Sequence, residues 1–498
     1  MRQAIPHLHV AIVGAGFAGL GMAIRLRRDG VEDFAVFDEA GEVGGTWRDN
    51  SYPGSACDVP SHVYSFSFAP HPGWTRMFAP QPEIWAYLRE CVRRSGIAGH
   101  LRLNTRVTGA TWDSDRRCWR IETSHGAVTA DALVAAAGGL AEPSMPDLPG
   151  LDSFAGAAFH SARWDHDTEL AGRRVAVIGT GTSAAQFVPE IAPRAAALYV
   201  FQRTAPWVLP RRDRGITGLE RRAYRAAPVL QQLARGTIGA LRETLVVTNR
   251  HPRLAQLLVQ RIAARHLRRS VPDPALRARL TPSYTVGCKR IVLSNDYLPA
   301  LTRPNVEVLT EPITEVRPHA VVTADGVERS VDVLIFGTGF QVSDPPIAHR
   351  IRGPAGRTLA QQWSGSPTGH LGTMVAGFPN LFLMLGPNTG LGHSSVVLMM
   401  EAQHGHVLDA LRFLREGGYA ALSPRADVQA AYTAEMDTRL AGTVWNAGGC
   451  RSWYLDAAGR NWTMWPGTSW AFRRRLARFQ PDDYDVVQDR SCAMRGTP

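Results

Sequence analysis

Two glycine-rich loops are the residues of this chain best suited to chemistry with a nucleotide. The first reads Gly14-Ala-Gly16-Phe-Ala-Gly19, and the second reads Gly179-Thr-Gly181-Thr-Ser-Ala184. Glycines at this spacing let the backbone approach a pyrophosphate, and the N-terminus of the following helix supplies free N–H groups and a positive dipole end. Two such loops predict two bound dinucleotides, and two dinucleotides predict electron transfer between them.

The first loop is flanked by the elements that a dinucleotide site requires. Residues 9–13 form a short apolar run typical of a buried parallel strand, and residues 18–26 have the apolar spacing of a helix. A second predicted strand, 34–37, ends at Asp38, whose carboxylate is suited to accept hydrogen bonds from ribose hydroxyls. With the following Gly44-Gly45-Thr46-Trp47, this unit resembles FAD-binding flavoproteins.

The second loop has the same context with a different residue after the next strand. Residues 174–178 form the predicted strand before the loop, and residues 197–201 form the strand after the helix. The chain then reads Gln202-Arg203-Thr204, where an NAD-specific unit carries an acid. Because a guanidinium can pair with a 2′-phosphate in bidentate fashion, we expect NADPH rather than NADH here. The expected NADPH contacts are Gly179, Thr180, Gly181, Thr182, Ser183, Arg203 and Thr204.

A twelve-residue segment lies shortly before the second loop. It reads Phe154-Ala-Gly156-Ala-Ala-Phe-His160-Ser-Ala-Arg-Trp164-Asp165. This pattern, F-x-G-x-x-x-H-x-x-x-W-D, resembles the fingerprint of type I Baeyer–Villiger monooxygenases, which insert an oxygen atom beside a ketone carbonyl. In that family the segment links the two nucleotide domains. The resemblance therefore implies a conformational role for Phe154, Gly156, His160 and Trp164 rather than proton transfer by His160.

A second signature, from Gly44 to Asp58, resembles the same family's glycine–tryptophan, tyrosine–proline–glycine and aspartate motif. The resemblance implies that Asp58 lies near the flavin ring and orients an active-site arginine, which local context matches to Arg290 in Cys288-Lys289-Arg290. Lys289 is expected to meet an NADPH phosphate. The expected FAD contacts are Gly14, Gly16, Phe17, Gly19, Asp38, Gly45, Thr46, Trp47, Asp58 and Tyr64.

The resemblance implies a reaction that uses FAD, NADPH and O2 and gives an ester or lactone through a C4a-peroxyflavin. A permanent cation suits this chemistry, because arginine keeps its proton and can stabilise both the peroxide anion and the oxyanion formed on attack. We therefore expect Arg290 and Asp58 to be the catalytic pair. Two alternatives stay open: an N- or S-oxygenating flavin monooxygenase, and an NADPH oxidase-like flavoprotein. Trp164-Asp165 and the Asp58–Arg290 pair favour the Baeyer–Villiger reading.

The order of predicted elements indicates an α/β fold with two Rossmann-like dinucleotide-binding domains and an inserted helical subdomain. The insertion is expected because residues 211–282 lose the alternation of strands and helices. The expected segments are residues 1–148 and 334–498 for the FAD domain, 149–210 and 284–333 for the NADPH domain, and 211–283 for the helical insertion.

Composition narrows the class of protein. The chain has 498 residues, which predicts more than one domain, and no apolar run approaches the length of a membrane span. We expect a cytoplasmic enzyme, monomeric or homodimeric, that binds a small ketone and does not insert into a membrane. The net charge of +11 arises from arginines spread along the chain, which favours solvated helix faces over a nucleic-acid site.

Cysteine and histidine spacing excludes further chemistries. The cysteines (Cys57, Cys91, Cys118, Cys288, Cys450 and Cys492) form no C-x-x-C pair, which argues against a disulfide framework and against a disulfide reductase. Cys57 is expected to be a packed thiol. The histidines show no metal-ligand spacing, so no metal is expected. The stretch from Trp445 to Trp453, continuing to Trp462 and Trp465, is expected either to close the substrate pocket or to belong to the core.

Overall fold

The computed structural model describes residues 5–246, 252–450 and 452–488. Of the residues considered above, Cys492 and position 451 of the tryptophan-rich stretch lie outside these ranges. None of the described helices is long and apolar enough to cross a membrane.

The strands are short, and most belong to two sheets. In chain order they are β1 (His7–Val13), β2 (Phe34–Phe37), β3 (Leu101–Arg102), β4 (Val107–Asp113), β5 (Cys118–Thr123), β6 (Gly126–Ala135), β7 (Ala157–His160), β8 (Arg174–Ile178), β9 (Ala197–Phe201), β10 (Val208–Leu209), β11 (Val292–Leu293), β12 (Val306–Leu309), β13 (Ile313–Arg317), β14 (Ala320–Thr323), β15 (Glu328–Ser330), β16 (Val333–Phe336), β17 (Ile351–Arg352), β18 (Leu381–Leu383), β19 (Tyr419–Pro424) and β20 (Tyr484–Gln488).

The helices cover the sheet faces and build a separate layer. In chain order the α-helices are α1 (Phe17–Arg28), α2 (Thr46–Asp49), α3 (Gln81–Ser95), α4 (Thr182–Ile191), α5 (Gly218–Ala226), α6 (Pro228–Glu243), α7 (Pro252–Ser270), α8 (Pro274–Arg279), α9 (Tyr297–Ala300), α10 (Pro346–Arg350), α11 (Leu359–Trp363), α12 (Val396–Gly417), α13 (Ala426–Ala441), α14 (Val444–Ala447) and α15 (Ser469–Leu476).

The larger sheet has eight strands in the order β17-β4-β5-β6-β1-β2-β3, with β18 also pairing with β6. Strands β18, β6, β1, β2 and β3 run parallel, whereas β4, β5 and β6 form an antiparallel meander. The centre of β1 is apolar and fully buried, as a parallel strand covered on both faces requires. Helices α1 and α12 pack together against this sheet, and the first glycine loop follows β1 at its carboxyl end.

The smaller sheet has five parallel strands in the order β12-β9-β8-β16-β7. The second glycine loop follows β8, which lies at the centre of this sheet, as β1 does in the larger one. The expected α/β fold with two Rossmann-like units is confirmed. Strand β16 spans the expected boundary between residues 333 and 334 and pairs only with β8 and β7, so the chain leaves this sheet after Phe336.

Helices α5 to α8 form a helical layer between β10 and β11, at the place where the alternation of elements was expected to stop. Helix α6 lies against the large sheet's domain through side chains that reach backbone carbonyls there. Gln231 Nε2 donates to His71 O over 2.7 Å, and Arg235 Nη1 donates to His62 O over 2.8 Å and to Ser65 O over 2.7 Å. These hydrogen bonds place the last turn of α6 at the cleft described below.

Candidate active site

The two glycine loops have the same backbone geometry. Gly14 and Gly179 have φ angles of 108° and 109°, in the region that favours glycine. A Cβ atom at either position would lie 2.4 Å from a carbonyl oxygen of the neighbouring strand's end, that of Ala136 or of Gly337. Each glycine N–H also donates to the last residue of the next strand, Gly14 to Phe37 O and Gly179 to Phe201 O. The chain therefore builds the same dinucleotide cradle twice.

The helices that follow these loops leave room for a phosphate group. Gly16 and Gly181 precede α1 and α4, and no side chain caps either helix. A Cβ atom at Gly181 would meet no atom within 4 Å, and one at Gly16 would meet only Gly45 Cα, at 3.7 Å. Uncapped N–H groups beside open space fit the pyrophosphates of FAD and NADPH. Thr182 and Ser183 begin α4, and Thr180 Oγ1 donates to Thr204 O over 3.2 Å.

Asp38 lies at the end of β2 beside the first loop, where a ribose ligand was expected. Its carboxylate accepts hydrogen bonds from the backbone N–H groups of Ala15 at 2.7 Å and Ala40 at 3.0 Å, and from Arg48 Nη1 at 3.2 Å. Asp38 thus ties the loop to the strand. A carboxylate has about four acceptor directions, so these three bonds leave one for a ligand.

The other expected FAD contacts surround the first loop. Gly44 N donates to Ala15 O over 2.9 Å, which closes the Gly44-Gly45 turn onto the loop, and Thr46 and Trp47 begin α2 directly afterwards. Trp47 Nε1 donates to Tyr64 OH over 3.0 Å, and the Tyr64 ring packs edge-on against Phe17. Phe17 is buried in the hydrophobic core, so its side chain supports the loop from within the protein.

Arg290 and Asp58 meet across 232 residues of sequence. Arg290 Nε donates to Asp58 Oδ2 over 2.8 Å, and Nη2 donates to Oδ1 over 2.6 Å. This bidentate geometry is the strongest that arginine and a carboxylate can adopt. Burial would raise the pKa of Asp58, but the charge and hydrogen bonds of Arg290 outweigh that effect and hold the pKa below its ordinary value. The Asp58 carboxylate in turn raises the pKa of Arg290, which stays a cation.

This pair lines a cleft of about 210 Å³. The cleft walls combine charged and apolar side chains from the segment around Arg290, from the end of α6 and from the C-terminal part of the chain. Those other lining residues are Leu209, Arg242, Leu245, Val259, Val286, Gly287, Lys289, Ile291, Leu293, Gly392, His393, Val444, Trp445 and Tyr454.

Arg242 and His393 were missed by the sequence analysis. Arg242 comes from the helical insertion, where the arginines were interpreted as surface cations, yet its guanidinium interacts with the charge of Asp58. His393 lies in the loop before α12, a position without a recognisable motif. Only the packing of distant segments brings these two residues to the cleft, so no local pattern signals them.

Lys289, which lines the cleft, forms a second cationic region with Arg203. Burial lowers the pKa of Lys289, and the nearby charge of Arg203 lowers it further. Lys289 Nζ also lies 5.0 Å from the centre of the Tyr284 ring. Across the described ranges, neither cation lies within 4.0 Å of a carboxylate. Two neighbouring cations without an acidic partner suit a phosphate group.

The fingerprint segment forms the edge of the smaller sheet. Its strand, β7, pairs in parallel with β16, and a Cβ atom at Gly156 would lie 2.2 Å from Asp332 O. Phe154 packs at the periphery of that sheet's core, and Trp164 packs against Phe159 and Phe187.

His160 within that segment is buried, and its ring packs edge-on against Phe340, where the chain returns to the larger sheet. Its Nδ1 accepts a hydrogen bond from Ala162 N over 3.1 Å. Burial lowers the pKa of His160 to about 4, so the ring is neutral near pH 7. His160 does not line the cleft.

The tryptophan-rich stretch divides between the cleft and the core. Trp445 and Tyr454 line the cleft, Trp462 and Trp465 are buried, and Trp453 is 44% exposed. Trp445 is therefore the described tryptophan that can exclude water from the cleft.

The cysteine spacing argued against a disulfide framework, yet the structure contains a disulfide bond. Cys288 and Cys450 are joined, with their Cα atoms 6.2 Å apart, although 162 residues separate them in sequence. The bond ties the segment that carries Arg290 to the tryptophan-rich stretch. Spacing did not reveal it because each cysteine finds its partner only through tertiary packing. Cys57, Cys91 and Cys118 are free and buried, and burial raises the pKa of Cys57 far above its ordinary value.

Comparison with known proteins agrees with this geometry. The model of the family described as flavin-binding monooxygenase-like matches residues 7–353. The chain is 51% identical over 489 residues to a Baeyer–Villiger monooxygenase of Streptomyces coelicolor, covering 98% of this chain and 94% of that one. It is 49% identical over 483 residues to a Baeyer–Villiger monooxygenase of Pseudomonas aeruginosa, covering 97% and 92%.

Solved structures show the same relationship. An oxidized steroid monooxygenase bound to NADP is 30% identical, with a TM-score of 0.85 and coverage of 97% of this chain and 100% of that one. A closed structure of cyclohexanone monooxygenase is 29% identical, with a TM-score of 0.86 and coverage of 98% and 100%. Matches at this identity over nearly the whole length establish more than a shared fold. The chain belongs to the Baeyer–Villiger monooxygenases, enzymes of the flavin-binding monooxygenase family that use FAD and NADPH.

Proposed function

We propose that this enzyme inserts one oxygen atom beside the carbonyl of a ketone bound in the cleft, and that Arg290, held by Asp58, is its catalytic cation. The observation that carries the proposal is the bidentate Asp58–Arg290 pair on the cleft wall. The Arg290 side chain remains 40% exposed although two of its nitrogens are paired with Asp58, and it lines the cleft. Arg290 can therefore contact a ligand in the cleft while Asp58 fixes the orientation of its guanidinium.

We assign the larger sheet to the FAD domain and the smaller one to the NADPH domain. The first loop with Asp38, the Gly44-Gly45 turn and the Trp47–Tyr64 pair would hold FAD, since they surround an uncapped helix N-terminus. Bound FAD supplies the redox chemistry by taking electrons from NADPH and passing them to O2. The two domains must move relative to each other so that NADPH reaches the flavin. We expect the segment that contains β7, His160 and Trp164 to be the connection between the domains during this movement.

Within the cleft, Arg290 would stabilise negative charge that develops on the ketone oxygen. Arginine suits this role because it cannot release its proton to the reacting groups. Asp58 would act as a positioning residue, since it holds the guanidinium plane through two hydrogen bonds. Trp445 would exclude water, which prevents loss of the reducing equivalents as hydrogen peroxide.

The class of substrate follows from the cleft and the related structures. One related structure is that of cyclohexanone monooxygenase with ε-caprolactone bound, and another is that of a steroid monooxygenase. The apolar side chains Val286, Ile291 and Trp445 give this cleft the walls that a hydrocarbon ring requires. We therefore assign alicyclic ketones as the substrate class, with a lactone as the product.

The direct test is to incubate the yellow holoenzyme with NADPH and ketones in air and to identify products by mass spectrometry. A lactone or ester heavier than the ketone by one oxygen atom is the expected product. A thioether and an amine belong in the same panel. Oxidation of these two alone would assign heteroatom oxygenation instead, and hydrogen peroxide without any oxygenated product would assign an oxidase.

Arg203 is expected to select NADPH. Replacing it with alanine removes the guanidinium proposed to bind the 2′-phosphate, so the ratio of kcat/KM for NADPH to that for NADH should fall about 10-fold to 100-fold. Arg194→Ala is a matched control, because Arg194 is an exposed arginine of the same sheet's domain that pairs with Glu169 instead. An unchanged cofactor ratio in the Arg203 variant would move 2′-phosphate recognition to Lys289 or elsewhere.

Asp58 is expected to act through Arg290. Asp58→Asn removes the charge and one acceptor of the bidentate pair, so the rate of ester formation should fall on the order of 10-fold to 100-fold while FAD stays bound. Asp213→Asn is the control, since Asp213 pairs with Arg76 through one hydrogen bond of 2.8 Å and does not line the cleft. If the Asp58 variant forms ester at the wild-type rate, and with the same amount of ester per NADPH consumed, Asp58 does not belong to the site.

The proposal also covers the localisation and the oligomeric state of the protein. We infer a cytoplasmic monomer or homodimer, since the cytoplasm supplies NADPH. The Cys288–Cys450 bond is unusual for a reducing compartment, because cytosolic thiols are generally kept reduced.

A further inference from the structure

The helical insertion carries the whole net charge of the chain. Residues 211–283 contain 16 of the 55 lysines and arginines but only four of the 44 acidic residues. The remainder of the chain has 39 basic and 40 acidic residues, which almost cancel. Arginines therefore occur along the whole chain, but their excess over acids is confined to the insertion.

The four acids of the insertion are already engaged. Asp213 and Glu220 each pair with an arginine, Glu243 is buried, and Asp273 accepts hydrogen bonds from backbone N–H groups at the start of α8. Several arginines of α5 and α7 are exposed, and none of them lies within 4.0 Å of a carboxylate in the described part of the chain. They are Arg222, Arg225, Arg261, Arg265, Arg268 and Arg269.

Helix α6 is amphipathic, but its polar face is turned toward the protein. Gln231 and Arg235 reach backbone carbonyls of the larger sheet's domain, and Arg242 lines the cleft. A surface helix ordinarily turns its apolar stripe to the core, so α6 is inverted. Its apolar side chains away from this face are between 43% and 65% exposed, and they are Val229, Leu230, Leu233 and Leu241.

Helix α7 has an exposed face that combines apolar and basic side chains. Leu258 and Ile262 are 58% and 49% exposed, and Arg261 and Arg265 are exposed beside them. The spacing of three and four residues places these four side chains on one face of the helix. That face therefore presents hydrocarbon and positive charge together.

The surroundings of these faces decide which occupant fits them. Clustered exposed leucines favour an apolar partner. A second copy in a symmetric dimer would bring the arginine-rich surroundings of both copies together, and like charges across an interface cost free energy. A nucleic acid offers phosphates but no apolar layer for leucines. A bilayer with acidic phospholipids offers phosphates to the arginines and acyl chains to the leucines.

We propose that the helical insertion binds the surface of a membrane that contains acidic phospholipids. The leucines of α6 and α7 enter the boundary of the acyl chains, and the arginines of α5 and α7 meet phosphate groups. The binding is peripheral, since none of the described helices is long and apolar enough to cross a membrane. Arg242 of α6 and Val259 of α7 line the cleft, so the bound insertion keeps the cleft near lipid, where apolar ketones concentrate. Membrane binding itself does not depend on the proposed function.

The test measures co-sedimentation of the FAD-loaded, full-length enzyme with two kinds of vesicle. One kind contains phosphatidylcholine alone, and the other contains equal parts of phosphatidylcholine and phosphatidylglycerol. The wild type should partition at least about tenfold more strongly into the mixed vesicles, and added salt should weaken this binding. Flavin absorbance in the pellet measures bound holoenzyme, and a sample without vesicles measures aggregation.

The variant with both Leu230→Gln and Leu233→Gln tests the apolar contact. Both side chains already face solvent, so the fold should be kept. Loss of two leucines from the acyl boundary should lower the partition coefficient about 10-fold to 100-fold. The matched control carries Leu140→Gln and Met145→Gln, which are 43% and 48% exposed outside the insertion, and it should bind as the wild type does.

The variant with both Arg222→Gln and Arg225→Gln tests the charge. These arginines lie on α5, which packs against α6. Binding to the mixed vesicles should fall about tenfold, while the weak binding to phosphatidylcholine alone should stay unchanged. The control carries Arg473→Gln and Arg474→Gln, two exposed arginines of α15, and it should bind both kinds of vesicle as the wild type does.

Three results would overturn the proposal. The first is a wild type that does not sediment with the mixed vesicles. The second is binding that the arginine variant loses and the leucine variant keeps, because this describes only the adsorption of a basic protein. The third is a wild-type dimer in light scattering that the leucine variant converts to a monomer, because the apolar face would then be a dimer interface. Failure of the proposed function looks different, since vesicle binding would persist without any ester product.

Discussion

Replacing Arg290 with alanine will abolish ester formation while NADPH still reduces the enzyme. Two nitrogens of Arg290 donate to Asp58, and the Arg290 side chain is partly exposed where it lines the cleft. The alanine variant therefore loses the cation proposed to face the ketone oxygen. Removal of one preorganised donor to a developing oxyanion typically costs about 10²–10³ in rate, and loss of a full charge should cost at least about 10³. Stopped-flow reduction and mass spectrometry of the products measure the two steps separately.

Arg290→Lys is the matched variant for this experiment. Lysine keeps the charge, but it cannot form the bidentate pair with Asp58 and can lose its proton when buried. We therefore expect the lysine variant to retain some ester formation and the alanine variant none, with NADPH consumption diverted to hydrogen peroxide in both. A normal ester yield from Arg290→Ala would refute the proposed site, because no other residue is assigned the same role.

Gly19→Ala should prevent the chain from holding FAD. A Cβ atom at this position would lie 1.9 Å from the carbonyl oxygen of Gly14 and 3.2 Å from Ile12 Cγ2. The first of these contacts is with backbone, so α1 and the loop must separate to relieve it. We expect either insoluble protein or a colourless protein with a melting temperature well below that of the wild type. Flavin content from absorbance, together with thermal unfolding, measures both outcomes.

Gly405→Ala is the control for this substitution. Gly405 also lies within a helix, α12, but a Cβ atom there would meet nothing within 4 Å. Alanine is favoured over glycine inside helices by about 1 kcal/mol, so this variant should keep its FAD and become slightly more stable. A yellow Gly19→Ala protein as stable as the Gly405→Ala protein would mean that the close approach of α1 to the loop is not required.

Short patterns of neighbouring residues predicted the elements that build the two glycine loops. The glycine loops are encoded by short patterns, since a positive φ and a close backbone approach must be met by glycine at that position. Both loops follow parallel strands, and the flanking residues predicted a strand before each loop. The resemblance to the Baeyer–Villiger family also singled out Asp58 and Arg290, but their bidentate contact became visible only in the folded chain. Asp38 was predicted as a ribose ligand only, whereas its carboxylate also ties the loop to β2 by accepting a hydrogen bond from Ala15 N.

The sequence by itself determined two dinucleotide units, a helical stretch inserted within the second of them and the family to which the chain belongs. Each of these is encoded by patterns that span a few residues or by the order of elements along the chain. The tertiary structure alone decided that Glu243 holds His393, that Arg242 faces Asp58 and that Cys288 joins Cys450. The partners in these contacts lie more than 100 residues apart. Contacts of that range depend on how two sheets and an inserted helix pack together, and no local pattern of residues encodes that packing.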